Sequence, residues 1–274
     1  MMRGMFAAIS GLKNHQVMLD VTANDIANVN TIGYKSARTT FKDSLNQLQR
    51  GASGAGGGAG GANAAQVGLG VTLGSIDNLM QGGSMQSTGN PFDVAITGPG
   101  FFRVATSNAT PPTPGTAFED TRAGNFTTNA DGYLLTQDGY YVQGQDGAGA
   151  PTLLQVPAGS TNAAIAQNGE LSYVDGTGTR VSAGFLSLAT FPNSAGLERS
   201  GSNRWIESAN SGTATTGAPG PQFGFTTSGQ VEMSNVDLAQ TFTSMITAQR
   251  GFQANSRVIS TADEMLQDLV NLKR

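Results

Sequence analysis

Several residue types and patterns are missing from this sequence of 274 residues. It contains no cysteine, which excludes disulfides and thiolate metal sites. Charged residues make up only 12% of the chain, and no cluster of Lys or Arg offsets the net charge of −4, which argues against a nucleic-acid groove. No run of about 18 apolar residues occurs, so we predict no membrane span. The N-terminus lacks the apolar stretch and cleavage site of a secretory signal, so export would need another route.

Histidine is almost absent as well, since His15 is the only one. A Ser-His-Asp triad or a zinc site would have to be built around this single residue, which lies in a helical segment. We interpret His15 as a polar residue on a helix flank. The sequence therefore predicts no catalytic, metal-binding or cofactor-binding residue, and the chain is not expected to be an enzyme.

The N-terminal segment shows helical periodicity. Apolar residues recur at spacings of three and four up to a stop signal at Gly33. Gly4 and Gly11 each weaken this helix by about 1 kcal/mol relative to Ala, so it needs a partner. The predicted face contains Met5, Ile9, Leu12, Gln16, Leu19, Ala23 and Ile26.

The C-terminal segment shows a heptad pattern instead. Ser234 or Asn235 is predicted to cap a long helix, with Asp237 in its first turn. The polar seam positions favour shared contacts in a larger tube over a private dimer, although an internal two-helix hairpin that leaves the protein monomeric stays open. The predicted seam runs through Leu238, Phe242, Met245, Gln249, Phe252, Ser256, Ile259, Asp263, Leu266 and Val270.

The residues between the two helices change in character, because most of the 38 glycines of the chain lie there and short apolar runs replace the helical periodicity. Residues 51–66 form a low-complexity tract that we expect to be flexible. After it, residues 92–96 alternate, a Gly98-Pro99-Gly100 turn follows, and Asp-Gly turns in residues 124–144 predict a tight meander. Residues 185–191 are a further strand candidate, and prolines at 111–114 and residues 208–221 mark loops.

The predicted fold class is therefore α+β. We expect a discontinuous, coiled-coil-like domain of terminal helices, residues 1–35 and 235–274, which form the inner core of a polymer. Residues 36–85 and 222–234 form a connecting segment that includes the Gly-rich linker 51–66. A β-rich outer domain is predicted for residues 86–221.

Three weaker patterns have plain structural interpretations. The spacing of Thr127, Asn129, Asp131 and Asp138 resembles a calcium-binding loop. However, its first ligand is Thr instead of Asp and its last is Asp instead of Glu, so a hairpin turn is favoured. Residues 68–74 approach a dinucleotide fingerprint without the following helix, so we predict a strand there. Trp205 is expected to anchor a core.

Several long motifs, in order along the whole chain, resemble the bacterial flagellar hook and basal-body rod protein family. Asp25 stands where the family usually has a second Asn, which puts one local hydrogen bond in question. The motifs are Leu19-Asp20-Val21-Thr22-Ala23-Asn24-Asp25-Ile26-Ala27-Asn28-Val29-Asn30-Thr31-Ile32-Gly33-Tyr34-Lys35, Asp93-Val94-Ala95-Ile96-x-Gly98-x-Gly100-Phe101-Phe102, Thr121-Arg122-Ala123-Gly124-Asn125-Phe126, Ser234-Asn235-Val236-Asp237-Leu238 and Gln249-Arg250-Gly251-Phe252-Gln253-Ala254-Asn255-Ser256.

The resemblance implies a structural subunit that leaves the cell through the flagellar export apparatus, without a cleaved signal peptide. It implies a homopolymer that contacts other axial proteins, namely the rod, the hook cap and the hook–filament junction, with no nucleic acid and no membrane span. The motifs favour a short hook protein that transmits torque, with a distal-rod subunit as the alternative. The expected assembly interface contains Ile9, Leu12, Leu19, Ile26, Leu238, Phe242, Met245, Phe252, Ile259, Leu266 and Val270.

Two other classes of function stay open on the residues alone. The repeated Asp-Gly turns allow a β-rich adhesive or carbohydrate-binding surface protein. An enzyme acting on cell-wall sugar would need two carboxylates across a cleft, and the available glutamates Glu170, Glu198 and Glu207 lie in no recognisable signature.

Overall fold

The computed structural model describes residues 2–54, 61–105 and 118–272. The chain divides into two compact units, which we call the helical unit, residues 1–27, 37–77 and 237–274, and the β unit, residues 28–36 and 78–236. Helices at both ends and strands between them confirm the predicted α+β class. Within the described part of the chain, neither helix is long and apolar enough to cross a membrane.

Two helices and two β-ribbons form the helical unit. The helices are α1 (Met2–Ala27) and α2 (Leu238–Asn271), which pack against each other. One ribbon pairs β1 (Ala37–Asp43) with β4 (Val71–Asn78), and the other pairs β2 (Asn46–Arg50) with β3 (Ala65–Gly68). Both ribbons have exposed apolar side chains, because two strands alone cannot cover them.

The start of α2 differs from the sequence prediction. Asp237, not Ser234 or Asn235, is the N-cap, since its carboxylate accepts hydrogen bonds from the amides of Ala239 and Gln240, at 2.9 and 3.2 Å. These bonds satisfy amides that have no partner within the helix. Asn235 acts elsewhere, in the β unit.

The β unit contains the remaining strands that the structure describes. Its largest sheet has the strand order β13-β14-β15-β11-β7-β8-β18-β17, with the short strands β9, β10, β12, β16 and β19 attached, and β5–β21 and β6–β20 form separate pairs. The strands are β5 (Met85–Ser87), β6 (Val94–Thr97), β7 (Phe101–Ala105), β8 (Phe118–Thr121), β9 (Thr127–Thr128), β10 (Leu134–Leu135), β11 (Tyr141–Gln145), β12 (Pro151–Leu153), β13 (Thr161–Ile165), β14 (Glu170–Val174), β15 (Arg180–Leu186), β16 (Leu188–Thr190), β17 (Glu198–Gly201), β18 (Arg204–Ile206), β19 (Thr215–Gly217), β20 (Phe225–Ser228) and β21 (Gln230–Glu232), with a 3-10 turn at Ser194–Gly196.

Two apolar clusters stabilise the β unit. Trp205 is buried beside Phe101 and Leu197, which confirms its predicted role as a core anchor. The larger cluster contains Val94 and Ile96 of β6. Ala95 between them is also buried, so the first three residues of this strand do not alternate, and only Thr97 at its end is exposed. The buried members of the larger cluster are Val94, Ile96, Phe102, Phe126, Leu134, Val142, Leu154, Ile165, Leu171, Leu186 and Leu188.

The turn predictions have mixed outcomes. The Asp-Gly meander is confirmed, because β9, β10 and β11 pair in succession and Gly132 and Gly139 adopt a φ of 83° in the turns. In the predicted flexible tract, Ser53 bridges Ala62 and β3 already begins at Ala65, so its ends are ordered. Residues 55–60 of that tract, the prolines at 111–114, and Lys273 and Arg274 lie outside the described residues.

Candidate assembly surfaces

The two terminal helices meet along an antiparallel seam with little space between them. A Cβ added to Gly11 of α1 would lie 2.7 Å from the amide nitrogen of Asn255, and one added to Gly251 of α2 would lie 2.5 Å from Cε1 and Nε2 of His15. Because the higher number on α1 pairs with the lower number on α2, the helices run in opposite directions. Glycine at both positions lets a larger polar side chain of the partner helix lie against the backbone.

The α2 side of this seam differs from the predicted one at every second position. Gln249, Ser256 and Asp263 are exposed, so their predicted place in the seam is wrong. The residues one position earlier are covered instead, and two of them are alanines, which allow close approach but give no apolar signal in the sequence. The covered heptad contains Thr241, Met245, Ala248, Phe252, Asn255, Ile259, Ala262 and Leu266.

The residues expected to form the assembly interface fall into two groups. One group is half-buried within the helical unit, and the other is exposed on it. This placement realises the two-helix hairpin left open by the sequence, and it leaves the second group free to contact other molecules. The half-buried group is Leu12, Leu19, Ile26, Met245, Phe252, Ile259 and Leu266, and the exposed group is Ile9, Leu238, Phe242 and Val270.

The flank of α1 beside this seam holds the β1–β4 ribbon through polar contacts. The Asn14 amide donates a hydrogen bond to the carbonyl of Val71 at 2.8 Å, and the amide of Val71 donates to Ser10 Oγ at 3.2 Å. Asp25 is buried, and its carboxylate accepts from the amide of Ala37 at 3.2 and 3.3 Å. The departure from the family pattern at Asp25 therefore keeps an acceptor at this position.

A buried ionic cluster in the β unit joins segments far apart in the sequence. Glu232 accepts from the Lys35 ammonium at 2.5 Å and from the Arg122 guanidinium at 3.2 Å, and the side chains of all three are at most 3% exposed. Burial lowers the pKa of Lys35, the charge of Glu232 opposes this shift, and that of Arg122 adds to it. Burial also lowers the pKa of Arg122 against the effect of Glu232. One carboxylate thus balances two buried cations.

Backbone and amide contacts complete the joint around this cluster. The amide of Gly33 donates to the carbonyl of Glu232 at 2.8 Å, and the amide of Ser36 donates to Asn235 Oδ1 at 2.8 Å. Gly33 has a φ of 69°, and a Cβ there would lie 2.5 Å from the amide of Ala123. The segment after α1 and the segment before α2 are therefore fastened together within the β unit. Three of the five motifs of the sequence contribute residues to this joint, namely Gly33 and Lys35, Arg122, and Asn235.

A second charged cluster surrounds Asp120 on β8. Its carboxylate accepts from Arg103 at 3.2 and 3.3 Å, and Arg103 also donates to Glu207 at 3.0 Å. Burial raises the pKa of Asp120 to about 6; Arg103 opposes this rise, and the charges of Glu207 and Glu119 add to it. Glu207 thus belongs to an ion-pair network on the sheet.

The other two glutamates available for a catalytic pair lie elsewhere. Glu170 begins β14 and Glu198 is exposed on β17. No group of three or more His, Asp or Glu side chains that could hold a metal occurs within residues 2–54, 61–105 and 118–272.

Comparison with known families matches three segments of the chain. Residues 5–35 match the flagella basal body rod protein family, residues 95–173 the flagellar hook protein FlgE/F/G D1 domain, and residues 227–272 the flagellar basal body rod FlgEFG protein C-terminal family. The first and third matches include most of α1 and all of α2, and the second includes Arg122 and Asp120.

Full-length relatives agree with these matches. The chain is 47% identical over 276 residues to the flagellar basal-body rod protein FlgG of Bacillus subtilis, with all of both chains covered. It is 38% identical over 276 residues to FlgG of Caulobacter vibrioides, with 99% of this chain and all of the relative covered. The flagellar hook protein FlgE of Borreliella burgdorferi is 27% identical over 449 residues. The chain therefore belongs to the flagellar hook and basal-body rod protein family.

Proposed function

We propose that this chain is a structural, non-enzymatic subunit of the distal rod of the flagellar basal body. The observation that carries this choice is the gap between 47% identity to a basal-body rod protein and 27% identity to a hook protein. Both relatives align over the whole of both chains, but the hook alignment needs 449 positions for the 274 residues of this chain, so much of that hook protein has no counterpart here. This choice reverses the order that the sequence motifs favoured.

The helical unit supports a role in polymer formation. Its exposed apolar side chains include Ile9 on α1 and Leu238, Phe242 and Val270 on α2. Side chains of this size each gain about 1.5–3 kcal/mol when a neighbour covers them. Different faces of one subunit that contact different neighbours make heterologous contacts, and these extend into an open helix when the rotation does not close a ring.

The predicted interface residues have two roles in this proposal. The half-buried residues of the α1–α2 seam shape a helix pair within each subunit. The exposed ones contact other copies, and at the ends of the segment they contact other axial proteins. We further propose that the subunit reaches the rod through the flagellar export apparatus without a cleaved signal peptide.

The joint around Glu232 supports a role in transmitting force. It closes the segment that follows α1 onto the segment that precedes α2 through buried ion pairs and backbone hydrogen bonds. A subunit of a rotating shaft has to resist separation of its segments under torque, and this joint ties residues 33–36 to residues 232–235 within the β unit.

Imaging a deletion strain of the source bacterium by electron cryotomography tests the assignment. A rod that ends within the cell envelope is the expected result. A complete rod that lacks its hook would instead support the hook subunit, the second candidate, which the terminal motifs favour. An intact rod and hook in the deletion strain would contradict both.

A further inference from the structure

The surface of α2 has two exposed apolar stripes that its pairing with α1 leaves uncovered. They lie at different heights along the helix, and their members are between 42% and 82% exposed. Stripe A contains Leu238, Phe242 and Ile246, and stripe B contains Val258, Met265, Leu269 and Leu272.

The two stripes lie on opposite flanks of the α1–α2 seam. At about 100° per residue, stripe A is centred about 115° to one side of the covered heptad, and stripe B about 95° to the other side. Neither stripe can therefore reach α1 of its own chain, and the two cannot touch each other on one straight helix. One molecule thus presents two separate apolar surfaces that face apart.

Charges on α2 are also divided between these two regions. Among residues 238–272, the basic residues are Arg250 and Arg257, and both are N-terminal to stripe B. The acidic residues lie along the length of stripe B, and they are Asp263, Glu264 and Asp268. Arg250, Arg257, Glu264 and Asp268 lie near the face opposite the seam at about 100° per residue. When stripe A of one helix lies beside stripe B of a parallel neighbour, these basic and acidic side chains are on the same side of the contact.

One axial shift matches both the apolar and the charged groups. A displacement of about 17 residues, about 25 Å at 1.5 Å per residue, brings Phe242 level with Val258 and Ile246 level with Met265 to within about two residues. The same shift brings Arg250 level with the acidic pair Glu264 and Asp268. Between two parallel helices in contact through the same stripe, these charged side chains would lie on opposite sides of the contact instead.

We infer that stripe A of one copy docks on stripe B of a second copy, with the α2 helices parallel and staggered by about 25 Å. This inference rests on the proposed rod function, and it adds the register and the pairing of the subunits. Because A pairs with B and not with itself, each added copy leaves one A and one B free, which gives open-ended growth.

Engineered disulfides test this register directly, since the chain has no cysteine of its own. The full-length double variant Phe242→Cys/Val258→Cys is mixed with an oxidant at high concentration and run on a non-reducing gel. Its two thiols are about 24 Å apart along one helix and cannot join within one chain. A ladder of cross-linked multimers is the expected result, whereas a mixture of the two single variants should stop at dimers.

A matched control keeps the sixteen-residue spacing but reverses the order of the two faces. Gln240→Cys/Ser256→Cys uses two exposed positions, with Gln240 on the side of the helix that carries stripe B and Ser256 on the side that carries stripe A, so the proposed stagger keeps them about 50 Å apart in neighbouring copies. We expect at least about tenfold less cross-linking for this pair, because disulfides need Cβ atoms within about 4.5 Å. Equal ladders from both pairs, or dimers formed mainly by Phe242→Cys alone, would overturn the inference.

A charge reversal tests the register without cysteine chemistry in the stripes. Arg250→Glu in the Phe242→Cys/Val258→Cys background should shorten the ladder, and adding Glu264→Arg and Asp268→Arg should restore it. A ladder that Arg250→Glu leaves unchanged would overturn the register. The imaging of the deletion strain is an independent test. If the cysteine variant forms ladders but the deletion strain keeps an intact rod, only the proposed function is refuted. If the deletion truncates the rod but the cysteine variant forms no A-to-B ladders, only this inference is refuted.

Discussion

The imidazole of His15 on α1 lies directly against the backbone of Gly251 on α2, where a Cβ would come within 2.5 Å of the ring. The ring also makes an edge contact with Phe41 of β1 at a centroid distance of 6.1 Å. His15 therefore cannot move away without disturbing the ribbon. The only histidine of the chain acts as a spacer between two helices and a strand.

The first prediction concerns this close helix contact. Gly251→Ala should lower the free energy of unfolding by about 1–3 kcal/mol, because overpacking exceeds the gain in helix propensity. Gly11→Ala should act in the same direction through Asn255. Chemical denaturation followed by circular dichroism measures both.

Gly4 supplies the matched control for these variants. No atom lies within 4 Å of a Cβ placed on Gly4, so Gly4→Ala should stabilise the helix by up to about 1 kcal/mol. If Gly251→Ala and Gly11→Ala stabilise as Gly4→Ala does, the seam is not packed as described.

The second prediction concerns the buried cluster of Lys35, Arg122 and Glu232. Glu232→Gln should destabilise the protein by about 3–5 kcal/mol, because it leaves two buried cations without their counter-charge. The Arg38–Asp77 pair is the comparison, since its side chains are 63% and 40% exposed. Asp77→Asn should cost no more than about 1 kcal/mol in the same unfolding experiment. Similar costs for the two variants would argue against a buried cluster.

The third prediction concerns Asp120, whose pKa is raised to about 6 by burial. A raised folded-state pKa means that the native state holds the proton more tightly than the unfolded chain. This contribution to stability is therefore complete below the unfolded pKa near 4 and is lost as the pH rises through about 6. We expect thermal unfolding between pH 4 and 7 to show this loss in the wild type and not in Asp120→Asn.

Asp138 allows the pH effect to be separated from a general change of charge. Asp138 is exposed, so Asp138→Asn should leave the pH dependence of stability as in the wild type. A pH profile that Asp120→Asn does not alter would mean that another group titrates in this window.

The fourth prediction concerns the N-cap of α2. Asp237→Ala removes the acceptor for two backbone amides and should cost about 1 kcal/mol. Asp263→Ala, an exposed change in the same helix, should have a smaller effect. Equal effects of the two changes would contradict the capping role.

The terminal helices and the Asp-Gly turns were predictable from the sequence, because apolar periodicity and turn chemistry are local signals. The α2 seam was predicted only at Met245, Phe252, Ile259 and Leu266. Its other covered positions are small or polar, and Ala248 and Ala262 carry no apolar signal in a heptad count. Ala248, Asn255 and Ala262 follow one another at intervals of seven residues. This repeat of small and polar residues is the signal that could have located the seam.

The ionic joint of the β unit could not be predicted in the same way. Lys35 and Glu232 are separated by 197 positions, so no local pattern connects them. Asp25 shows a related limit: the sequence marks it as a departure from a motif, but only the fold shows that its carboxylate still accepts the amide of Ala37. Pairings of this kind depend on the tertiary structure.

The most direct test of the central claim is to locate the subunit in isolated basal bodies. Ala148→Cys places a single thiol on an exposed turn of the β unit, and the chain has no other cysteine to react. Basal bodies from cells that carry only this variant are labelled with maleimide gold and imaged by electron microscopy. The proposed function predicts gold along the distal rod; gold along the hook, or no gold on the axial structure, would contradict it.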